Sequence, residues 1–546
     1  MKHEVLIYIW SIIMRKETVQ DISFVLLLSG ICHFLFSKYG FNPTDEGFVL
    51  SATNRVLHGQ IPHVDFSSVR PLGYAYLHIP ELLISKTHFF LVSRFVFWLE
   101  QALIAYWWIR FLLNCSKQEL STLNKYALIL ICFIFNVHYF PASVLHTVDG
   151  LLMCMIGLNL ISSDKKWHYA GFFFIGYAAL CKQNYLVFLP LTLHLFKRKS
   201  VVLHLLSGIS PILFYVVYVC MNGGCIDLLT QLSGHNELLK VGVARYLFNP
   251  MPYLGIIVFF IYHKLRFNRT LFSSLITMTA VVLLVTNHYH GKYVFLFFGM
   301  ICSECIYRLV KKEPVIPAFV TLLSAWSVSI SVGYNTPALF TGGMISFLLF
   351  DSFASTTVAL SKKTVYSILA ISILAFYHSR THNIYRDLPA TQLTYKLDHI
   401  VEGASGIHTN KNTYDVLQEL DSLRHSTPNL MVIPDFTACN ILHSHQSKIL
   451  TEWPNKTEVP NDKILQKITS DIRNDNTSLL AIPKYLTALL KDGFVILENH
   501  GDEYPIVNYL LENKYMVIEE KKYFYILRKI HPPSNPITEN EYINLH

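Results

Sequence analysis

Long apolar stretches separated by short polar connections recur along the chain from about residue 21 to residue 377. A helix that crosses a membrane needs about 20 mostly apolar residues, or fewer where neighbouring helices shield it. The pattern predicts thirteen spans, at residues 22–37, 89–113, 126–140, 148–162, 169–181, 185–196, 201–220, 251–262, 271–286, 293–310, 315–332, 338–360 and 364–377. The sequence therefore predicts a polytopic α-helical membrane protein.

The pattern changes in the last third of the chain, at residues 379–546. Short apolar runs at 431–435, 493–498 and 523–528 are typical of strands, and the mixed polar and apolar stretches at 415–423, 463–473 and 483–491 are typical of helices. Strands that alternate with helices favour a small α/β domain. We therefore expect two domains, a membrane module at 1–378 and an α/β domain at 379–546.

Composition and charge agree with a membrane protein. Of the 546 residues, 52% are hydrophobic and 15% are charged, whereas a soluble domain has about 25% charged residues. The net charge of +8 comes from cations clustered between the apolar runs, so it does not indicate a nucleic-acid partner. If each cluster faces the cytoplasm, the N-terminus is cytoplasmic, and both the first loop (38–88) and the C-terminal domain face the extracytoplasmic side of the inner (plasma) membrane.

The first outer loop contains the most informative polar residues. Pro43-Thr44-Asp45-Glu46 resembles a helix start, where acids are stabilised by the helix dipole. The same position would keep Asp45 ionised, as a general base or a cation ligand requires. Arg70 is fixed before Pro71, and its planar guanidinium is suited to phosphate. The alternatives are a purely structural helix start for the acids, and contact with lipid headgroups for Arg70.

Other predicted outer connections add candidates at the same face of the membrane. Asp149 opens the fourth predicted span, and Lys182 lies at the turn between two short helices, where it is available to an anion. Lys292 and Tyr293 precede the tenth predicted span, and Tyr293 alone would suit a membrane interface. His288 and His290 have a spacing that could bind metal, although the sequence shows no third ligand.

These residues resemble motifs of the GT-C superfamily of integral-membrane glycosyltransferases. The first loop, with Asp45-Glu46 and then HGQIPHVDF and VRPLGYAYL, resembles that of the aminoarabinose transferases and protein O-mannosyltransferases. Thr147-Val148-Asp149, Leu180-Cys181-Lys182 and Gly291-Lys292-Tyr293 are similar to later motifs in the same order. The chain departs from the family at Leu72, where many members have a second proline, and at Lys292, where arginine is usual.

The resemblance implies transfer of a sugar from a polyprenyl-phosphate donor to an envelope acceptor, which could be a lipid, a glycan or a protein. It implies catalytic roles for Asp45, Glu46 and Asp149, and donor-phosphate binding by Arg70, Lys182, Lys292 and Tyr293. Transfer would be inverting. No cofactor is implied with certainty, and a divalent metal is left open. The alternatives are a transporter or flippase and a polymerase or ligase of lipid-linked polysaccharide. A scaffold that binds through its C-terminal domain is a third alternative.

Overall fold

The fold is described from a computed structural model of the chain. It describes residues 16–530, apart from 138–141, 164–166, 197–199, 234–235, 266–267, 289–290, 331–335, 355–359, 428–429, 434–435, 457, 460, 475–478, 490–492, 494, 498–504 and 513–514.

Helices dominate the chain as far as His382. In chain order they are α1 (Lys16–Phe36), α2 (Phe48–Leu57), α3 (Gly73–Leu77), α4 (Ile79–Ile84), α5 (Phe89–Ser116), α6 (Thr122–Asn136), α7 (His146–Ser162), α8 (His168–Cys181), α9 (Phe188–Leu195), α10 (Val201–Met221), α11 (Cys225–Leu232), α12 (Asn236–Phe248), α13 (Pro250–Leu265), α14 (Arg269–Val285), α15 (Phe295–Lys311), α16 (Ile316–Ser329), α17 (Thr341–Ala354) and α18 (Lys362–His382). The 28-residue α5 packs against α1, α6 and α7, and it buries Trp98 and Trp108 in the main apolar core.

The predicted helical structure is confirmed and its apolar helices are consistent with a membrane protein, but the predicted number of thirteen spans is wrong. Five helical segments in the described part of the chain are long and apolar enough to cross a membrane: Glu17–Phe36, Phe89–Ser116, Val201–Met221, Lys292–Lys311 and Pro337–Ala354. A sixth results if Gly242–Phe248 and Pro250–Leu265, which meet at 53°, count as one span.

The predicted count fails mainly because many apolar runs form short helices. α6, α7, α8, α14 and α16 have 14 to 17 residues. At a rise of 1.5 Å per residue they extend about 21–26 Å, less than the hydrocarbon core of about 30 Å. The run at 185–196 is interrupted as well, by a 3₁₀ turn before the eight-residue α9. The predicted membrane orientation depended on the count of thirteen, so it stays a prediction.

Some helix pairs approach closely at glycine, as is common where helices pack in a membrane. At the crossing of α8 and α10, a Cβ added to Gly176 would lie 1.7 Å from the carbonyl oxygen of Gly208. Gly176 therefore requires the absence of a side chain for the two backbones to meet.

The C-terminal part contains the predicted α/β structure, with differences in its elements. Its strands are β1 (Tyr395–Lys396), β2 (His408–Thr409), β3 (Leu430–Val432), β4 (Leu479–Pro483), β5 (Thr487–Leu489), β6 (Val495–Leu497), β7 (Tyr515–Glu520) and β8 (Phe524–Lys529). Its helices are α19 (Lys411–Ser426), α20 (Asp462–Ile468), α21 (Ser470–Asn474) and α22 (Pro505–Glu512). The main sheet has the order β3-β4-β8-β7, in which β3 and β4 are parallel and the other pairs are antiparallel.

The helix predicted at 483–491 is wrong, because this segment starts at the end of β4 and continues into β5. The division at residue 378 stays a prediction, and α18 continues past it to His382.

The first loop packs directly on the C-terminal part. Its apolar residues Phe41 and Leu50 share a buried cluster with Leu417 and Ile526. Two buried ion pairs join the same parts, Arg55 with Glu452 and Arg70 with Glu458. The loop is therefore enclosed by the C-terminal part rather than lying free over the helices.

His63 is at the centre of a third junction between these parts. Its Nδ1 lies 2.7 Å from the Gln231 side-chain oxygen, and its carbonyl accepts a hydrogen bond from the Lys467 ammonium at 2.8 Å. Burial lowers the pKa of His63 to about 4, against a smaller opposing effect of the Gln231 hydrogen bond. The imidazole is therefore neutral in the folded chain near pH 7.

We expect Gly176→Ala to lower the apparent melting temperature of the detergent-purified protein. The added methyl group would force α8 and α10 apart, and overpacking of this kind costs about 1–3 kcal/mol. Gly30→Ala is the control, because a Cβ at Gly30 in α1 meets nothing within 4 Å. Equal melting temperatures for the two variants would contradict the close crossing.

We also expect acid to destabilise the chain through His63. Its folded pKa lies below the unfolded value of 6.5, so its contribution is complete above pH 6.5 and is lost as the pH falls from 6.5 towards 4. At pH 5 the loss is about 2 kcal/mol. His63 has a φ of 66°, which asparagine tolerates, so His63→Asn should show a smaller fall in melting temperature between pH 7.5 and 5. A fall as large as in the wild type would exclude His63 as a cause.

Candidate functional site

The predicted acid pair divides between two environments. Residues Asp45–Gly47 form a 3₁₀ helix, which α2 continues. Glu46 is buried, and its carboxylate lies 2.7 Å from the Arg94 guanidinium of α5 and accepts a hydrogen bond from the Asn42 backbone N–H. Glu46 therefore fixes the start of the loop to α5, which is a structural role.

Asp45 remains partly accessible, with 18% of its side chain exposed. Its Oδ2 accepts a hydrogen bond from the Tyr385 hydroxyl at 2.7 Å and lies 3.4 Å from the Arg386 guanidinium. Of the two acids, Asp45 is the one that a substrate could reach.

Arg70 is buried beneath Phe48, the first residue of α2. Its guanidinium carbon lies 5.3 Å from the centre of the Phe48 ring, and its Nη1 pairs with the Glu458 carboxylate. Phe48 follows Asp45 by three residues, so the two share one side of the helical segment. The Phe48 ring also contacts Tyr74 and His146, at centroid distances of 6.2 Å and 5.8 Å.

Three side chains around this ring, those of Arg70, Tyr74 and His146, together with Lys182, whose charge acts on His146, form what we call the cation cluster. Arg70 and Lys182 act electrostatically on His146 and on each other. Burial raises the pKa of the Tyr74 phenol well above its usual value, so its hydroxyl stays a hydrogen-bond donor.

The cation cluster has polar atoms without protein partners. The Lys182 side chain is 4% exposed, and its ammonium donates a long hydrogen bond of 3.5 Å to the Val328 carbonyl. The Tyr74 hydroxyl and both His146 ring nitrogens are shielded from solvent and bond to no residue that the structure describes. Burial and the neighbouring Arg70 charge lower the pKa of the Lys182 ammonium well below its usual value. An anion bound beside Lys182 would favour its charged form and would accept hydrogen bonds from the Tyr74 and His146 donors, so this arrangement favours a bound anion.

Local structure places Lys182 at this position. α8 ends at Cys181, and Lys182 is extended before the next 3₁₀ turn. Gly73 of α3 lies against the end of α8, where an added Cβ would be 2.6 Å from Leu180 Cβ. The Gln183 side chain then donates to the Val69 carbonyl at 2.9 Å. These contacts bring Lys182 and Arg70 to the same place.

A second group, the His78 cluster, comprises His78, Glu81, Glu100 and Asp149, and all four residues are buried. His78 Nδ1 lies 2.6 Å from Glu81 Oε1, and its Nε2 lies 3.1 Å from Asp149 Oδ1. Each of the residues His78, Glu100 and Asp149 offers one ligand atom, and these three atoms lie within 4.8 Å of one another.

The two clusters are neighbours. His78 follows Tyr74 by four residues, and Asp149 follows His146 by three along α7, so each step is about one helical turn. The His78 cluster therefore lies one turn along the same elements from the cation cluster. Asp149, predicted as catalytic, lies in the His78 cluster and not beside Asp45.

Lys292 and Tyr293 lie in a separate group. Lys292 is exposed, and its ammonium is 5.8 Å from the centre of the Tyr293 ring, which in turn contacts His288 at 5.6 Å. Between the residues described, no hydrogen bond or ion pair joins this group to the cation cluster. His290, the second residue of the predicted metal pair, lies outside the described residues.

Sequence reasoning missed Tyr74, His78, Glu100 and His146. One signal was available for Glu100, because it is a charged residue inside the predicted span 89–113, and such residues are usually functional. Tyr74 lies in the VRPLGYAYL segment that resembles the family motif, and His78 follows that segment directly. Their burial and contacts depend on distant helices, which a single sequence does not reveal.

Comparisons with known proteins identify no family. The chain matches no family model, and no curated protein is significantly similar to it. The resemblance to glycosyltransferases therefore rests on the quoted motifs alone.

We expect Arg94→Met to destabilise the chain strongly, because it leaves Glu46 buried without a counterion. Loss of one partner from a buried pair typically costs about 3–5 kcal/mol. Thermal unfolding of the purified variant checks this, and Glu46→Leu combined with Arg94→Met should recover part of the loss. Arg110→Met on the same helix is the control, since Arg110 is half-buried and donates to the Tyr106 hydroxyl. A loss for Arg94→Met no larger than for the control would contradict the role of the pair.

Proposed function

We propose that the protein is a membrane glycosyltransferase that moves a sugar from a polyprenyl-phosphate donor to an envelope acceptor. The observation that carries the proposal is the cation cluster, in which buried Lys182 and Arg70 adjoin unpartnered Tyr74 and His146 donors. A lipid-linked phosphate has the charge that these groups need, and it reaches a site among apolar helices by way of the membrane.

Each member of the cation cluster has a distinct part in this proposal. Arg70, held by Glu458 and the Phe48 ring, offers remaining N–H groups to the phosphate. Lys182 supplies a compact positive charge, and the Tyr74 hydroxyl donates a neutral hydrogen bond. Preorganised donors of this kind stabilise charge that develops on a leaving group, and loss of one typically costs about 10²–10³-fold in rate.

Asp45 is the proposed general base. The acceptor hydroxyl or amine attacks the anomeric carbon, its proton passes to the Asp45 carboxylate, and the bond from that carbon to the phosphate oxygen breaks. The electron pair leaves with the polyprenyl phosphate, and the configuration at the anomeric carbon inverts. Tyr385 and Arg386 orient the carboxylate. General-base catalysis typically contributes about 10²–10⁴-fold.

The remaining predicted residues have less direct parts. Glu46 positions the start of the loop through Arg94, and Asp149 acts through the His78 cluster rather than on the acceptor. Lys292 and Tyr293 are exposed on another surface, so we leave them out of the donor-phosphate site.

The test uses the purified full chain with a polyprenyl-phosphate sugar, and measures release of polyprenyl phosphate. We expect Asp45→Asn and Lys182→Met to lower the rate at least about 100-fold. Lys38→Met is the control, because Lys38 is an exposed cation at the start of the same loop. In a deletion strain, mass spectrometry of envelope glycans should show a missing sugar that wild type and Lys38→Met restore.

The outcomes separate the alternatives. A flippase would move the lipid-linked sugar without releasing polyprenyl phosphate. A polysaccharide ligase would release the lipid carrier from a long glycan, and its loss from the deletion strain would leave the transfer of single sugars unchanged. If folded Asp45→Asn and Lys182→Met proteins retain full activity, the proposed site is wrong.

A further inference from the structure

The His78 cluster has the composition and geometry of a metal site. We propose that His78, Glu100 and Asp149 bind one divalent first-row transition metal ion, such as Zn²⁺ or Mn²⁺, and that Glu81 orients the imidazole. The proposal does not rest on the proposed function, because it concerns binding of the ion alone.

The spacing of the ligand atoms fits a single ion. One nitrogen and two carboxylate oxygens all lie within 4.8 Å of one another, and His78 Nε2 is 3.1 Å from Asp149 Oδ1. For metal–ligand bonds of about 2.0–2.1 Å, adjacent ligand atoms in tetrahedral or octahedral geometry are about 2.8–3.4 Å apart. Only small side-chain movements would bring Glu100 into the same distance range.

Glu81 completes a second-shell arrangement that is common at metal centres. Its Oε1 lies 2.6 Å from His78 Nδ1, so this nitrogen donates to the carboxylate and Nε2 is directed towards Asp149. A carboxylate that accepts from the other ring nitrogen fixes the tautomer and the orientation of a metal-bound histidine. The Glu81 contact therefore prepares Nε2 as a ligand.

Unpartnered oxygens provide a further observation that points to a ligand. Glu100 Oε2 and Asp149 Oδ2 are inaccessible to solvent and accept no hydrogen bond from any residue that the structure describes. Glu100 is 7% exposed and Asp149 is fully buried. Buried carboxylates usually pair with a cation or coordinate a metal, and three carboxylates here surround one imidazole.

A comparison within the chain shows what such a group looks like when protein cations neutralise it. Glu304 of α15 also lies 3.1 Å from a histidine nitrogen, that of His263. There the Arg308 guanidinium lies 2.5 Å from the Glu304 carboxylate and also reaches Asp351. No arginine or lysine in the described part of the chain forms an ion pair with Glu81, Glu100 or Asp149, so the His78 cluster has room for an external cation.

The ligand atoms of the His78 cluster, one nitrogen and two or three carboxylate oxygens, indicate which class of metal ion would bind. Imidazole suits zinc, copper, iron and nickel, whereas carboxylates also suit magnesium, calcium and manganese. Mixed nitrogen and carboxylate sets of this size favour Zn²⁺ or Mn²⁺ over Ca²⁺, which prefers six to eight oxygen ligands. All the ligands come from α5, α7 and the junction of α3 and α4, so a bound ion would join these elements.

The test measures metal binding by the full chain in detergent, after treatment with a chelator. Titration with Mn²⁺, followed by the electron paramagnetic resonance signal of the free ion, should show one bound equivalent that Zn²⁺ displaces. We expect Glu100→Gln to abolish binding and Glu81→Gln to weaken it by about 10–100-fold, as is typical of second-shell changes. Glu304→Gln is the control and should bind as tightly as the wild type.

Two results would overturn the proposal. One is the absence of bound Mn²⁺ or Zn²⁺ in the wild type at millimolar concentration. The other is unchanged binding by Glu100→Gln. If that variant fails to fold, electron spin-echo modulation of Mn²⁺ in the wild type should detect one imidazole nitrogen, and its absence would equally exclude His78 as a ligand. Because neither measurement involves a sugar donor, failure here leaves the proposed transfer reaction unaffected, and the converse also holds.

Discussion

Buried charge and its neutralisation determine where the first loop lies and what the site can bind. Arg94 neutralises Glu46, and Arg55 and Arg70 are neutralised by Glu452 and Glu458. Each pair connects elements that are distant in the sequence, and removal of one partner leaves an uncompensated charge away from water. The pairing is incomplete at two adjacent places, with positive charge in excess at Lys182 and negative charge in excess around His78. The incomplete pairing is the physical basis of both proposed sites.

The sequence predicted much of the helical structure and several of the residues that the candidate site brings together. Apolar runs correctly indicated helices, because their length and composition are local properties of the sequence, and five of the helical segments that the structure describes are long and apolar enough to cross a membrane. The predicted strands at 431–435, 493–498 and 523–528 overlap β3, β6 and β8 within the described residues. β4 and β7 were missed, and β5 was taken for a helix, because short strands are stabilised by their neighbours in the sheet more than by their own residues. The predicted number of membrane spans was wrong because the composition of a short apolar run does not show whether lipid or protein surrounds the helix that it forms.

Within the site, the sequence identified charged residues and could not identify their partners. Arg70 and Lys182 are close enough to act on each other electrostatically, and their joint binding of one phosphate stays a prediction. Glu46 and Asp45 are adjacent in the chain, yet one is buried against Arg94 and the other contacts Tyr385. Asp149 meets His78 and Glu100 only after α5, α7 and the α3–α4 junction pack together. The partner of a polar residue is a property of the tertiary fold, so neither motif nor spacing reveals it.

The ion pairs between the first loop and the C-terminal part also impose an order on biosynthesis. Arg55 and Arg70 are separated from their acidic partners by 397 and 388 positions. A ribosome adds residues one at a time, so both arginines emerge long before Glu452 and Glu458 exist. During that interval the loop must keep its arginines hydrated or shielded by lipid headgroups or chaperones. Maturation of the loop is therefore a late event that waits for synthesis of the C-terminal part, and a chain that stops before residue 452 cannot complete it.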